Sequence, residues 1–293
     1  MARRRPATHH GVCIIDKPAG VTSHDVVGMV RRRFGERQVG HAGTLDPDAT
    51  GVLVVAVGAA TRLLRFATAT TKRYTAEVVL GVETDTLDSS GQVTAEHVMG
   101  QVDIDVVRRV VADHLVGDIE QVPPMVSALK VGGRRLHELA REGIEVERKP
   151  RPVHIERFDV DTTNEPGVLW IDVACSPGTY VRALASDLGL LLGGGAHLRA
   201  LRRQASGSFT SDQARPPDEA ELLPIGRLVE HLESVSVDSA TAARVATGQV
   251  LDRWEGQGPW SVHGPSGELL AVYEAFRAAE SKPAVVLPDG IHG

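Results

Sequence analysis

Aromatic side chains are scarce: they make up 4% of the 293 residues, and three of them are tyrosines. That excludes a nucleic-acid platform built from rows of stacked rings, and leaves any base stacking to one or two tyrosines. Cysteine is scarcer still. Cys13 and Cys175 lie in separate apolar runs without metal-ligand spacing. This excludes a disulfide framework and a thiolate zinc site, and fits two buried thiols in a reduced, cytoplasmic protein. No apolar run approaches the roughly 20 residues that span a bilayer; residues 52–57 continue only to Ala60. The apolar run that follows the basic first residues covers only 11–15, too short for the core of a secretion signal. Phosphate-loop and dinucleotide fingerprints are missing too, so neither a cofactor nor a metal is expected.

The net charge of −6 gives no overall attraction for a polyanion. Its distribution is another matter. Residues 211–293 carry 13 acidic and 6 basic side chains, leaving 25 and 26 in residues 1–210. The basic side chains cluster as Arg31, Arg32 and Arg33, then Arg134, Arg135, Arg141, Arg148, Lys149 and Arg151, then Arg199, Arg202 and Arg203. Local field sets phosphate affinity, so an RNA partner is permitted.

The chain exceeds the usual single-domain size, and its composition turns acidic near Ser211. This predicts a main domain over 1–210, a linker leading into a helix over 211–234, and a small β-rich module over 235–293. Hydrophobic periodicity predicts strands over 11–15, 52–57, 73–80, 153–160 and 169–175. It predicts helices over 23–34 with Ser23 as N-cap, over 103–116 and 134–142, and from Thr179 as N-cap through Leu188. Strands and helices alternate with hairpin-like spacing, which points to an α+β fold with a mixed, mainly antiparallel sheet flanked by helices.

Residues 40–51 join a basic helix to an apolar strand through three glycines, one proline and two carboxylates. Pro47 fixes its own φ and keeps Asp46 out of the helical region, so Asp46 is extended and presented. A carboxylate on a rigid loop suits a nucleophile or a general base. Further segments stand out in order: Asp16-Lys17-Pro18-Ala19-Gly20 with Ser23, Lys72-Arg73-Tyr74, Pro123 to Lys130, Gly178-Thr179-Tyr180-Val181-Arg182, and Gly195-Ala196-His197 with Leu201-Arg202-Arg203. Together with the Asp46 loop they resemble the signature motifs of the TruB family, the tRNA pseudouridine synthases that act on the T-loop uridine at position 55. The resemblance covers roughly residues 10–210.

The resemblance implies a pseudouridine-synthase fold with a C-terminal PUA-like module. It implies that Asp46 is the catalytic nucleophile, with Arg182 as the cation that keeps it ionised, and that Tyr74 stacks on the target uracil. Tyr180 corresponds to a second pocket tyrosine and Leu201 to an apolar residue against the flipped base. His41 would fill the gap that the flipped uridine leaves, and Lys17 and Pro18 would brace the catalytic loop. The segment around 120–150 is read as an insertion closing on the T arm through Arg134, Arg135, Arg141 and Lys149, while Arg202 also meets the RNA. A monomer acting on tRNA, without cofactor or membrane, is the resulting expectation.

The chemistry asks for such residues. Uridine becomes pseudouridine by breaking the bond between N1 and the ribose, turning the uracil, and joining C5 to the same carbon. Splitting a glycosidic bond at a cation-like carbon is carboxylate work. The carboxylate either attacks that carbon or removes a ribose proton, and the sequence accommodates both. Asp48 offers a second carboxylate but lacks the following proline. Two rival classes are a tRNA-binding or tRNA-folding protein without catalysis, and a glycoside or nucleoside hydrolase, which would want a second carboxylate and an activated water.

Overall fold

The computed structural model describes residues 7–100, 102–127 and 129–288. The chain forms two compact units, one of Met1–Asp46, Val52–Ala69 and Gly207–Gly293, the other of Pro47–Gly51 and Thr70–Ser206. No helix among the described residues is long and apolar enough to cross a membrane.

In the first unit residues 52–57 of the strand Thr50–Val57 are apolar without a break because both faces are covered. Val52, Val54 and Ala56 join one cluster with Val12, Ile14 and Leu63. Leu53, Val55 and Val57 join another with Val26, Val27 and Val30. Those last three valines are the buried stripe of the helix Ser23–Phe34, which Gly35 ends in the left-handed region at φ 64. The N-cap is Thr22, one residue before the predicted Ser23. Thr22 is extended, its hydroxyl accepts from the Asp25 N–H, and the Asp25 carboxylate accepts from the Thr22 N–H, a reciprocal capping box.

The β-rich C-terminal part is a five-stranded sheet. Leu269, Val272 and Val285 from it share the cluster of Val12 and Val54, while Trp260 and Tyr273 centre a cluster of their own. Residues 211–234 form 3-10 turns at Pro217–Glu219 and Ile225–Val229 rather than the expected α-helix. Pro216, Pro217 and Pro224 lack the N–H groups that a helix interior would need.

The second unit is built on a sheet in the order Ala196–Ser206, Lys72–Leu80, Val168–Cys175, Arg151–Thr162, Gly117–Gln121, with every neighbour antiparallel. Thr50 and Gly51 pair in parallel with Arg202 and Arg203, which makes the sheet mixed. Gly51 has φ 98, and a Cβ there would stand 2.3 Å from the Arg203 carbonyl oxygen, so only glycine permits this approach. The helices Ile104–His114 and Val181–Leu191 cover one face of the sheet through Val107, Val111, Leu184 and Leu188.

The second helix starts without the predicted Thr179 cap. Thr179 donates instead to the Ser176 carbonyl, and Tyr180 occupies the N-cap position. The segment 130–141 differs from the single predicted helix. Lys130–Val131 and Arg134–Arg135 form a hairpin around Gly132 and Gly133, both with positive φ, before the helix Leu136–Arg141. Two successive left-handed residues are what a two-residue hairpin turn demands, and the glycine pair supplies them.

Candidate active site

In the first unit the backbone leading to Asp46 is held from the helix Ser23–Phe34. The Ser23 hydroxyl accepts from the Leu45 N–H at 2.9 Å and donates to the Leu45 carbonyl at 3.1 Å. Ser23 and Leu45 are both buried, and Asp46 itself is half-buried. The loop before that helix is closed by Lys17, whose buried amine donates to the carbonyls of Pro18 at 2.9 Å and Val21 at 2.7 Å. Pro18 is exposed. His41 is half-buried on the strand Val39–Ala42, opposite Val55.

In the second unit the strand Lys72–Leu80 alternates as predicted, with Ala76, Val78 and Leu80 in the apolar cluster. Tyr74 and Leu201 are half-buried against that cluster, so the two residues assigned to the uracil share one face of the sheet. In register, Tyr74 lies between Val173 and Arg203, and Leu201 lies beside Ala76. Lys72 and Arg203 are nearly inaccessible. Burial, with the Arg203 charge adding to it, lowers the Lys72 amine to about 8.

Tyr180 is positioned by Gln121, a buried residue that no sequence motif marks. The Gln121 amide donates to the Tyr180 carbonyl at 3.2 Å and accepts from its N–H at 3.0 Å. Arg182 is also buried, in the first turn of its helix, where both burial and the helix dipole disfavour a cation. Its guanidinium is compensated by the carbonyls of Thr86 and Val126, both at 2.8 Å, and by the Asp88 carboxylate at 3.4 Å. Asp88 is the second residue that the sequence leaves unmarked, since the stretch 84–91 carries none of the motifs.

The basic residues assigned to RNA vary in their attachments. Arg134 is exposed and paired with Glu142, and Lys149 is exposed. The side chain of Arg141 lies outside the described residues. Arg202 is half-buried and reaches the Thr50 hydroxyl at 3.5 Å. Both cysteines are buried and unbridged. Burial pushes the Cys13 thiol up to about 12 and the Cys175 thiol to about 11, which removes thiolate chemistry at neutral pH.

Comparison with known proteins agrees with this assembly of motifs. Residues 31–181 match the TruB family pseudouridylate synthase N-terminal domain, and residues 182–219 match the tRNA pseudouridylate synthase B C-terminal domain. The tRNA pseudouridine synthase B of Syntrophotalea carbinolica is 45% identical, over 93% of this chain and 95% of its own length. The enzyme of that name from Mycobacterium bovis is 40% identical, over 98% of this chain and 99% of its own. Among solved structures, a chain from a Cbf5–Nop10–Gar1 complex superposes with a TM-score of 0.71 at 26% identity, covering 92% of this chain and 79% of that one. The chain belongs to the TruB family of pseudouridylate synthases.

Proposed function

We propose that this pseudouridylate synthase acts on tRNA in the cytoplasm, isomerising the T-loop uridine at position 55, with Asp46 as the nucleophile toward a flipped-out nucleotide. The N1–C1′ bond breaks, the uracil turns, and C5 joins C1′. C5 gives up a proton and N1 gains one, so nothing is added and no co-substrate is consumed. An anionic carboxylate stabilises the positive charge that develops at C1′.

The observation that carries the reading is the seating of Asp46. It follows Leu45, whose N–H and carbonyl are both held by Ser23, and it precedes Pro47, whose ring restricts it. In this proposal Arg182 grips the Asp46 carboxylate and keeps it ionised. Tyr74 stacks on the uracil, Leu201 packs against it, and Tyr180 lines the pocket. His41 fills the gap in the T loop. Lys17 and Pro18 brace the catalytic loop, and Arg134, Arg141, Lys149 and Arg202 meet phosphates of the T arm.

The test is to incubate the pure protein with unmodified tRNA transcript and map pseudouridine by carbodiimide labelling and primer extension. A single new stop at the T-loop uridine is the expected result. Binding with unchanged uridine would favour a tRNA-folding protein, and release of free uracil would favour a hydrolase.

A further inference from the structure

We propose that Ser23 is a positioning residue for catalysis: its hydroxyl fixes the Leu45 backbone so that the next side chain, Asp46, is presented in one orientation. The proposal rests on the assignment of Asp46 as nucleophile. One hydroxyl serves both polar groups of one loop residue, accepting from the Leu45 N–H at 2.9 Å and donating to the Leu45 carbonyl at 3.1 Å. The pair is 22 residues apart in sequence, with Ser23 2% and Leu45 3% exposed. In effect the hydroxyl takes the place of a neighbouring strand. With Leu45 pinned on one side and Pro47 on the other, Asp46 has little backbone freedom left.

Ser23 can perform this task because it is relieved of another. Thr22 provides the capping bonds of the helix, so the Ser23 hydroxyl is available to the loop. Its own position is rigid: Val26, Val27 and Val30 bury the helix beneath it, and Lys17 ties Pro18 and Val21 in the preceding turn. The segment 16–23 and the loop 40–51 are thus joined by a backbone clamp, which gives their common occurrence in one chain a mechanical reason. Displacing a nucleophile by about 1 Å costs on the order of 10²-fold in rate, whereas substrate affinity depends on other groups.

The experiment compares S23A, S23T and S23C with the unsubstituted protein in single-turnover pseudouridine formation at saturating enzyme. The tRNA Kd, thermal midpoint and circular dichroism are measured alongside. S23A is expected to lose roughly 10- to 100-fold in rate at a temperature where it is folded, with Kd changed less than about two-fold. S23T restores the hydroxyl and should recover most of the rate. S23C keeps the size but bonds weakly, and should stay near S23A. A folded S23A or S23C with a rate within two-fold of the original overturns the proposal, as does failure of a folded S23T to exceed S23C. If S23A does not fold, the S23T and S23C pair decides. D46N is run in parallel: turnover by D46N would defeat the nucleophile assignment itself, whereas an inactive D46N beside a fully active S23A defeats only the clamp.

Discussion

The Arg182 guanidinium lies 3.4 Å from the Asp88 carboxylate and, at 2.8 Å each, from the carbonyl oxygens of Thr86 and Val126. One planar cation therefore ties the start of the Val181–Leu191 helix to two segments far away in sequence. Asp88 is itself tightly set. One of its oxygens accepts from the Thr86 hydroxyl and from the N–H and hydroxyl of Ser90. The preceding Leu87 is left-handed at φ 62, a conformation that costs a non-glycine residue about 1 kcal/mol. The surrounding bonds hold it there, including Leu198 N–H to the Leu87 carbonyl at 3.0 Å. Residues held in such conformations by their neighbours recur at functional sites, which makes this cluster one to test.

Arg182 and Asp88 should therefore act together. R182K keeps the charge but cannot span two carbonyls and a carboxylate from fixed directions. Single-turnover pseudouridine formation should fall by roughly 10²-fold or more, with tRNA affinity nearly kept. D88N preserves shape and removes the charge, and should cost about 10-fold. The double variant should lose less than the product of the two, as expected for residues that touch. Rates within two-fold of the original for both single variants would remove Arg182 from the reaction.

Asp46 carries the strictest prediction. D46N should reduce pseudouridine formation by about 10⁴-fold or more while tRNA still binds, because a neutral amide can neither attack nor stabilise a cationic carbon. D48N should remain active, since Asp48 is exposed and has no proline after it to fix its direction. A dead D48N beside an active D46N would move the nucleophile two residues along the loop.

Lys72 predicts a pH dependence of stability. Burial holds its amine near 8 in the folded chain, against about 10.4 when unfolded. Between these values the unfolded chain keeps a proton that the folded chain has lost, so this residue's contribution to stability rises with pH from about 8 to 10.4 and is lowest below 8. K72M removes the titration. Stability of the original protein minus that of K72M, from urea unfolding, should increase by about 2 kcal/mol between pH 7 and 10. A pH-independent difference would mean that Lys72 stays charged throughout.

What the sequence makes legible follows from periodicity and from punctuation. The strand of Tyr74 is readable because the pleat imposes a two-residue period, and the strand after Gly51 because burial on both faces makes it one unbroken apolar run. At the first helix Thr22 and Ser23 compete for one cap, and only the backbone decides which is extended; at the second Thr179 turns back to Ser176 and Tyr180 takes the N-cap position without a side-chain bond. Asp46 and Arg182 stand out through their motifs. Asp88 and Gln121 do not, since their importance lies in long-range partners: Asp88 meets Arg182, and Gln121 meets the backbone of Tyr180. The Ser23–Leu45 clamp is illegible for the same reason: Ser23 belongs to a motif, but nothing local shows that its hydroxyl serves a loop 22 residues on.

A chain with net charge −6 needs a local basic surface to hold an acidic substrate. Residues 130–157 carry eight basic and five acidic side chains, with the hairpin turn at Gly132 and Gly133 at one end. Arg134 is engaged with Glu142, but both partners are about half exposed, and such a pair contributes at most about 1 kcal/mol. A phosphate can therefore compete for Arg134 at little cost, and the exposed Lys149 needs no rearrangement. Replacing Arg134 and Lys149 together with alanine should weaken tRNA binding at low salt. The slope of log Kd against log salt should flatten by about 0.7 to 0.9 for each phosphate that is no longer neutralised. The rate of the bound complex should stay within about two-fold, because neither residue meets the reacting atoms. Unchanged affinity and slope would remove the insertion from the RNA interface and leave the phosphates to side chains such as Arg202.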